Sequence, residues 1–198
     1  RKNNIEGTLN LIESMKKYEI NNLIFSSSAA VYGNSNNKII RETDKLNPSN
    51  PYGETKVESE NIISNYCEKD DLRAISFRYF NAAGAHPSGT IGEKHEPETH
   101  LIPNLIKSII NNQYNFELFG GIHNPTSDGT CVRDYIHVSD IVNAHYLGMK
   151  KIQNLKPYNV FNIGSGKGYS IMEIIKGVEA VTNKKIDYIH SNDRKNEP

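Results

Sequence analysis

The chain lacks an excess of either charge. Its 23 basic residues match its 23 acidic ones, so the formal net charge is zero. Such a chain offers no broad electrostatic attraction to nucleic acid or to an anionic membrane surface. Phosphate groups, if bound, must be met by a few placed side chains. Long apolar runs are missing too. None approaches the roughly 18 residues that a membrane span needs, and the opening residues do not carry the pattern of a signal peptide. No nucleic-acid or membrane partner is expected. Cysteine is scarce, with only Cys67 and Cys131. There is no C-x-x-C and no zinc-type ligand spacing, so two reduced thiols are expected rather than a disulfide. The seven histidines form no metal pattern, and no metal site is expected. Tryptophan is absent, which excludes nothing. No Asn-x-Ser/Thr acceptor has a permitted middle residue. Together these absences point to a soluble protein of a reducing, cytoplasmic compartment.

What is present has a clear rhythm. The 198 residues suffice for one sizeable core or most of a larger one. Ile5, Leu9, Ile12 and Met15 recur at helical spacing, so a helix is already running at Arg1 and ends near Tyr18. The chain has no initiator Met and stops at Pro198 after a charged loop, and both ends are expected to be cuts in a longer protein. Leu23 to Ser27 reads as a short strand. Asn50-Pro51 opens a helix, with Asn as cap and Pro at the first helical position, running to about Cys67. Arg73 to Tyr79 reads as a buried strand and 84–97 as a long loop. A helix at Leu101 to Ile110 precedes a strand at Phe116 to Phe119. Then come a strand at Val132 to Val138, a helix from Ser139, and a strand at Tyr158 to Ile163. Ser170 and Glu173 form a capping box, and Ile186 to His190 closes as a strand. Alternating strands and helices imply an α/β fold with a mainly parallel sheet covered on both faces.

One constellation carries chemistry. Tyr52 and Lys56 stand at i and i+4 near the start of a helix, on one face. An ammonium beside a phenol favours the phenolate and lowers the tyrosine pKa from its usual value of about 10. A helix N-terminus acts in the same direction. Such a tyrosine can act as a general base. The pair alone is weak, because many solvated helices carry it. Upstream, Ser26-Ser27-Ser28 end an apolar strand, where an α/β sheet presents groups to a ligand. The bland reading is a loop start that uses serine for turn bonding. Ser28, then Val31-Tyr32-Gly33, then Pro51 to Lys56 (PYGETK) is a far more specific compound pattern.

That pattern resembles the extended short-chain dehydrogenase/reductase family, and within it the UDP-glucose 4-epimerases. The matching stretches are Asn3-Asn4 with Gly7-Thr8, Phe25 to Gly33, Pro51 to Lys56, Arg78 to Gly89 and Asp128 to Val138, over nearly the whole chain. The resemblance implies a Rossmann-like, mainly parallel but incomplete sheet with a smaller C-terminal substrate-binding lobe. Residues 1–83 would be the C-terminal part of an NAD-binding domain. Residues 84–198 would be mainly the UDP-sugar lobe, with some segments returning to the sheet. It implies that Tyr52 takes the proton of the sugar 4-hydroxyl, that Lys56 lowers its pKa and meets the nicotinamide ribose, and that Ser28 relays the proton. Asn3, Ser26, Ser27, Tyr79 and Phe80 would border NAD. Asn81, His100 and Leu101 would contact the nucleotide sugar. Glu117, Leu118 and Phe119 would hold the uracil, and Arg133 and Arg194 the diphosphate. The implied reaction interconverts UDP-glucose and UDP-galactose in a full-length homodimer. Dehydratases of this superfamily carry an Asp-Glu pair where Ala29-Ala30 stands here, which disfavours dehydration. The alternatives are a UDP-glucuronate epimerase or decarboxylase, and a non-catalytic NAD-binding relative. The retained Ser28, Tyr52 and Lys56 argue against the last.

Other features read as structural. Gly164 to Gly168 (GSGKG) fails phosphate-loop spacing and is expected to be a strand-to-helix turn. Arg133-Asp134 is either a plain ion pair or, by the resemblance, part of the ligand site. The family has Asn-Leu where His100-Leu101 stands here. The family's glycine-rich turn for the NAD pyrophosphate is expected before Arg1. These 198 residues by themselves are therefore expected to bind NAD poorly and turn over little.

Overall fold

A computed structural model describes residues 1–34, 39–111, 116–119 and 126–191. A π-helical turn at Lys2–Glu6 leads into α1 (Gly7–Lys17), β1 (Asn22–Ser28) and a tight turn at Ala29–Tyr32. Then follow α2 (Pro51–Lys69), β2 (Arg73–Tyr79), β3 (Asn81–Ala83), α3 (Leu101–Ile110), β4 (Phe116–Phe119), β5 (Val132–His137) and α4 (Val138–Lys151). A turn at Ile152–Asn154 precedes β6 (Tyr158–Ile163), β7 (Gly168–Ser170), α5 (Ile171–Thr182) and β8 (Tyr188–Ser191). The chain forms two compact units. The first holds Arg1–Ala82 and Ser139–Gly164; the second holds Ala83–Val138 and the segment that starts at Ser165.

In the first unit β1, β2 and β6 form a parallel sheet of order β1-β2-β6. On one face Ile12 and Met15 of α1 and Ile63 and Cys67 of α2 close over Leu23 and Ala74. On the other, Ile75 and Phe77 pack with Ile152, Ala144 and Leu155. Because both faces are covered, β2 is buried from Ala74 to Arg78 without a break. Ile12, Ile63 and Ile75 are fully buried, each contributing about 1.5–3 kcal/mol relative to exposure. The helix α2 starts where capping chemistry says it should. The Asn50 side chain accepts from the Gly53 N–H, and Pro51 opens the first turn.

In the second unit β4 and β8 pair in parallel, Phe116 opposite Tyr188. The apolar faces of α3 and α5 meet there through Leu105, Leu118, Ile175 and Ile186. The strands β5 and β7 pair antiparallel, Arg133 opposite Tyr169. Ser170 and Glu173 form a full capping box at the start of α5.

Some details differ from the sequence reading. Val138 begins a helix rather than ending a strand. The closing strand starts at Tyr188, and Ile186 is instead a buried core residue ahead of it. The short strands β3 and β7, three residues each, were not expected. A run that short carries no periodicity to read.

Candidate active site

The strand β1 ends in its three serines, with Ser28 in register with Tyr79 at the end of β2. Both hydroxyl-bearing ends therefore sit at the carboxyl edge of the parallel sheet, where α/β folds bind ligands. Ser28 caps the following turn, its Oγ accepting from the Ala30 N–H at 3.2 Å. The first turn of α2 lies directly on that turn. A Cβ at Gly53 would stand 2.5 Å from the Ala30 carbonyl oxygen and 2.9 Å from the Pro48 Cβ. Only glycine permits this approach, and it brings Tyr52 beside Ser28. Gly33 serves the same end: its φ is +63°, and a Cβ there would be 2.0 Å from the Asn47 carbonyl oxygen.

Lys56 projects from the next turn of α2. Its Nζ donates to the Ser26 carbonyl at 2.8 Å and stands 5.6 Å from the Tyr52 ring centre. Tyr52 is half exposed. The amino-terminal segment braces the pair from behind. Asn4 Nδ2 donates to Thr55 Oγ1 at 2.8 Å, and Thr55 Oγ1 donates to the Tyr52 carbonyl at 2.8 Å. Asn3, Thr8, Phe25 and Lys56 help line a cavity of about 250 Å³. A larger cavity of about 490 Å³, beside Asn21 and Leu72, lies at the amino ends of β1 and β2, away from the hydroxyls.

The electrostatics correct one expectation. The Tyr52 pKa is raised, not lowered. Burial is the main cause and Tyr79 adds to it, while the Ser28 side chain works the other way. The Lys56 ammonium, 5.6 Å from the Tyr52 ring centre, donates to the Ser26 carbonyl rather than to the phenol oxygen. Burial lowers the Lys56 pKa, against the charge of Glu60.

A buried ionic network lies beneath these groups. Ser27 Oγ donates to Glu60 Oε1 at 2.5 Å, and Arg78 Nε donates to the same oxygen at 2.9 Å. Arg78 Nη2 donates to Glu60 Oε2 at 2.5 Å, closing a bidentate pair with side chains only 5% and 4% exposed. Arg78 Nη1 donates to the Tyr32 hydroxyl at 2.8 Å, which donates to Asn162 Oδ1 at 2.6 Å. Burial alone would lower the Arg78 pKa, but Glu60 and Tyr32 outweigh it and raise it. Sequence reasoning missed Glu60. Two signals were available: Arg78 inside an otherwise buried strand needs a partner, and Glu60 is four residues after Lys56 on the same helix face.

The Ser27 side chain is fully buried and bonded to Glu60, which leaves its main chain as the part that can meet a ligand. Ser26 Oγ lies 3.3 Å from His145 Nε2. Phe80, partly buried, donates its N–H to the Ile163 carbonyl at 3.1 Å, and Asn81 opens β3. In the second unit His100 precedes α3 and bonds Glu93, while Leu101 packs on the core. At 1% exposure the Leu118 side chain belongs to the core, and Glu117 faces outward. Strand alternation sends neighbours to opposite faces. Phe119 ends β4, but its side chain lies outside the described residues, as does all of Arg194. Arg133 Nη1 donates to the Val132 carbonyl at 3.3 Å. Its neighbour Asp134 accepts from the Ser165 and Gly166 N–H groups at 2.8 and 2.9 Å, holding the GSGKG turn. Both cysteines are free. Among the described residues no helix is long and apolar enough to cross a membrane.

Residues 1–164 match the NAD dependent epimerase/dehydratase family. The UDP-glucose 4-epimerase of Lactobacillus helveticus is 44% identical over 186 residues, covering 94% of this chain and 56% of that protein. The crystal structure of UDP-glucose 4-epimerase from Brucella ovis in complex with NAD superposes with a TM-score of 0.93 at 38% identity, over 100% of this chain and 60% of that one. The enzyme from Bifidobacterium longum, in complex with NAD+ and UDP, does so with a TM-score of 0.93 at 35% identity, over 99% and 59%. The chain thus spans a little over half the length of the curated relatives it matches. Its parallel sheet flanked by helices is of the Rossmann type that these structures share. The chain belongs to the NAD dependent epimerase/dehydratase family.

Proposed function

We propose that the complete protein interconverts UDP-glucose and UDP-galactose by reversible oxidation at sugar C4. The observation that carries this reading is Tyr52 seated beside Ser28 at the carboxyl edge of β1 and β2, with Lys56 one turn behind. Tyr52 takes the proton of the sugar 4-hydroxyl and returns it after the sugar has turned. Ser28 steadies the same oxygen and favours the phenolate. Lys56, already bonded to the strand end, holds the floor of the cofactor cavity. The cavity accepts one part of a dinucleotide, bordered by Asn3, Lys56 and Phe25, with Tyr79 and Phe80 further along the sheet edge. NAD held there would supply the reversible acceptor for the C4 hydrogen, and a positive charge brought near the phenol would favour the phenolate that the protein alone disfavours. Ala29 and Ala30 offer no acid or base, so elimination of water has no catalyst among these residues.

In this reading residues 1–82 and 139–164 hold the cofactor, with Asn81 of that unit reaching the nucleotide sugar, and the second unit holds the nucleotide sugar through His100, Leu101, Glu117 and Arg133. Arg194 belongs to the same reading. In the same reading the full protein is a cytoplasmic homodimer; the two cysteines of this chain are free, which suits a reducing compartment. The test is Tyr52→Phe in the complete protein, assayed for formation of UDP-glucose from UDP-galactose. Loss of a general base should lower kcat by about 10²–10⁴-fold. A rate near that of the unsubstituted protein would overturn the mechanism.

A further inference from the structure

The loop before α3 gathers four ligand-type side chains that the reaction above does not require as a set. Glu93, His95, Glu98 and His100 each present one donor atom, and these atoms lie within 4.8 Å of one another. His95 Nδ1 is 3.1 Å from Glu93 Oε1 and 3.7 Å from Glu98 Oε1. His100 Nδ1 is 3.8 Å from Glu98 Oε1 and in close contact with Glu93 Oε1. Ligands about 2.1 Å from a shared tetrahedral ion stand roughly 3.4 Å apart. The separations of 3.1, 3.7 and 3.8 Å straddle that value. Both imidazoles turn the same ring nitrogen, Nδ1, towards the carboxylates.

A second observation concerns how Glu98 is held beside the two imidazoles. The Glu98 side chain is only 3% exposed, and its Oε2 is buried with no hydrogen-bond partner. Lys107 Nζ reaches only 4.0 Å from it. Glu98 Oε1 accepts from the Thr99 and His100 N–H groups at 2.9 and 3.0 Å. The carboxylate is therefore fixed, with Oε1 turned to the imidazoles and Oε2 to the Lys107 ammonium.

We propose that Glu93, His95, Glu98 and His100 form a binding site for a divalent transition metal of the zinc class. Two imidazoles with two carboxylates suit zinc, and a set of four protein ligands marks a structural rather than a catalytic site. The bound ion ties residues 93–100 into one closed loop and sets the entry to α3, where His100 is the residue before the first turn. Ligation through Nδ1 leaves Nε2 of His100 available to other partners. Sequence spacing alone hid the site, because E-x-H-x-x-E-x-H in an irregular loop matches neither a helical nor a finger pattern.

The test uses the complete protein, stripped with a chelator and titrated with zinc, with the metal content measured after dialysis. One zinc per chain is expected, and cobalt substitution should give the visible absorption of a four-coordinate site. His95→Ala and Glu93→Gln should each weaken zinc binding at least tenfold, with circular dichroism confirming the fold. His86→Ala, outside the cluster, should leave binding unchanged. Zinc well below one per chain would overturn the proposal, as would affinity undiminished in both His95→Ala and Glu93→Gln. Binding is read without turnover, so the outcome is separate from that of the Tyr52 test.

Discussion

Replacing Glu60 by alanine strands the Arg78 guanidinium in the interior. With side chains only 5% and 4% exposed, neither partner can turn to water without moving the sheet. Removing one member of a buried ion pair costs about 3–5 kcal/mol, because the other charge stays buried. Glu60→Ala also takes the acceptor from Ser27, whose hydroxyl is fully buried. Arg78→Met should cost about as much as Glu60→Ala. The double substitution Glu60→Ala with Arg78→Met removes both charges and should cost well below the sum of the two. We expect a coupling of at least about 2 kcal/mol, above the roughly 0.5 kcal/mol scatter of independent sites. Urea unfolding of the four proteins, followed by circular dichroism, supplies the cycle. Additive losses would refute the reasoning, since independent effects mean that the pair is not the unit that holds β2 to α2. So would a loss under about 1 kcal/mol for Glu60→Ala alone.

Two further predictions concern backbone contact and pH. Gly53→Ala must push α2 away from the Ala30 carbonyl, which a Cβ would meet at 2.5 Å. It should lower kcat more than it raises KM, and an unchanged kcat would count against the backbone as the gauge of the Ser28–Tyr52 spacing. Burial pushes the Cys67 thiol from 9.0 up to about 11. Folding favours the thiol form, so its stabilisation is complete below about pH 9 and is lost as the pH climbs through 11. Cys67→Ala should flatten that part of the stability–pH curve, and an identical slope in both proteins would contradict the assignment.

The large elements were readable because each had a strong period or a cap. Asn50-Pro51 announces α2, Ser170 with Glu173 announces α5, and the apolar run from Arg73 to Tyr79 is β2. The site was readable as a cluster of residue types but not as a field. Spacing put Lys56 on the face of Tyr52, yet it could not reveal that the ammonium would be directed at the Ser26 carbonyl. A motif also does not tell which of its side chains face a ligand: strand alternation turns the Ser27 and Leu118 side chains into the interior. Glu60 and Arg78 pair across a helix and a strand, a separation that no local pattern reports.

The contact between Gly53 and the Ala30 carbonyl has a consequence for divergence. The atoms nearest to Gly53, beside Tyr52, are the main-chain carbonyl of Ala30 and the Pro48 Cβ, and none comes from the side chains of Ala29 and Ala30. A new acid or base can therefore be written into those two positions without disturbing the tyrosine. On such a scaffold, the kind of reaction can change while the proton-handling geometry is inherited intact.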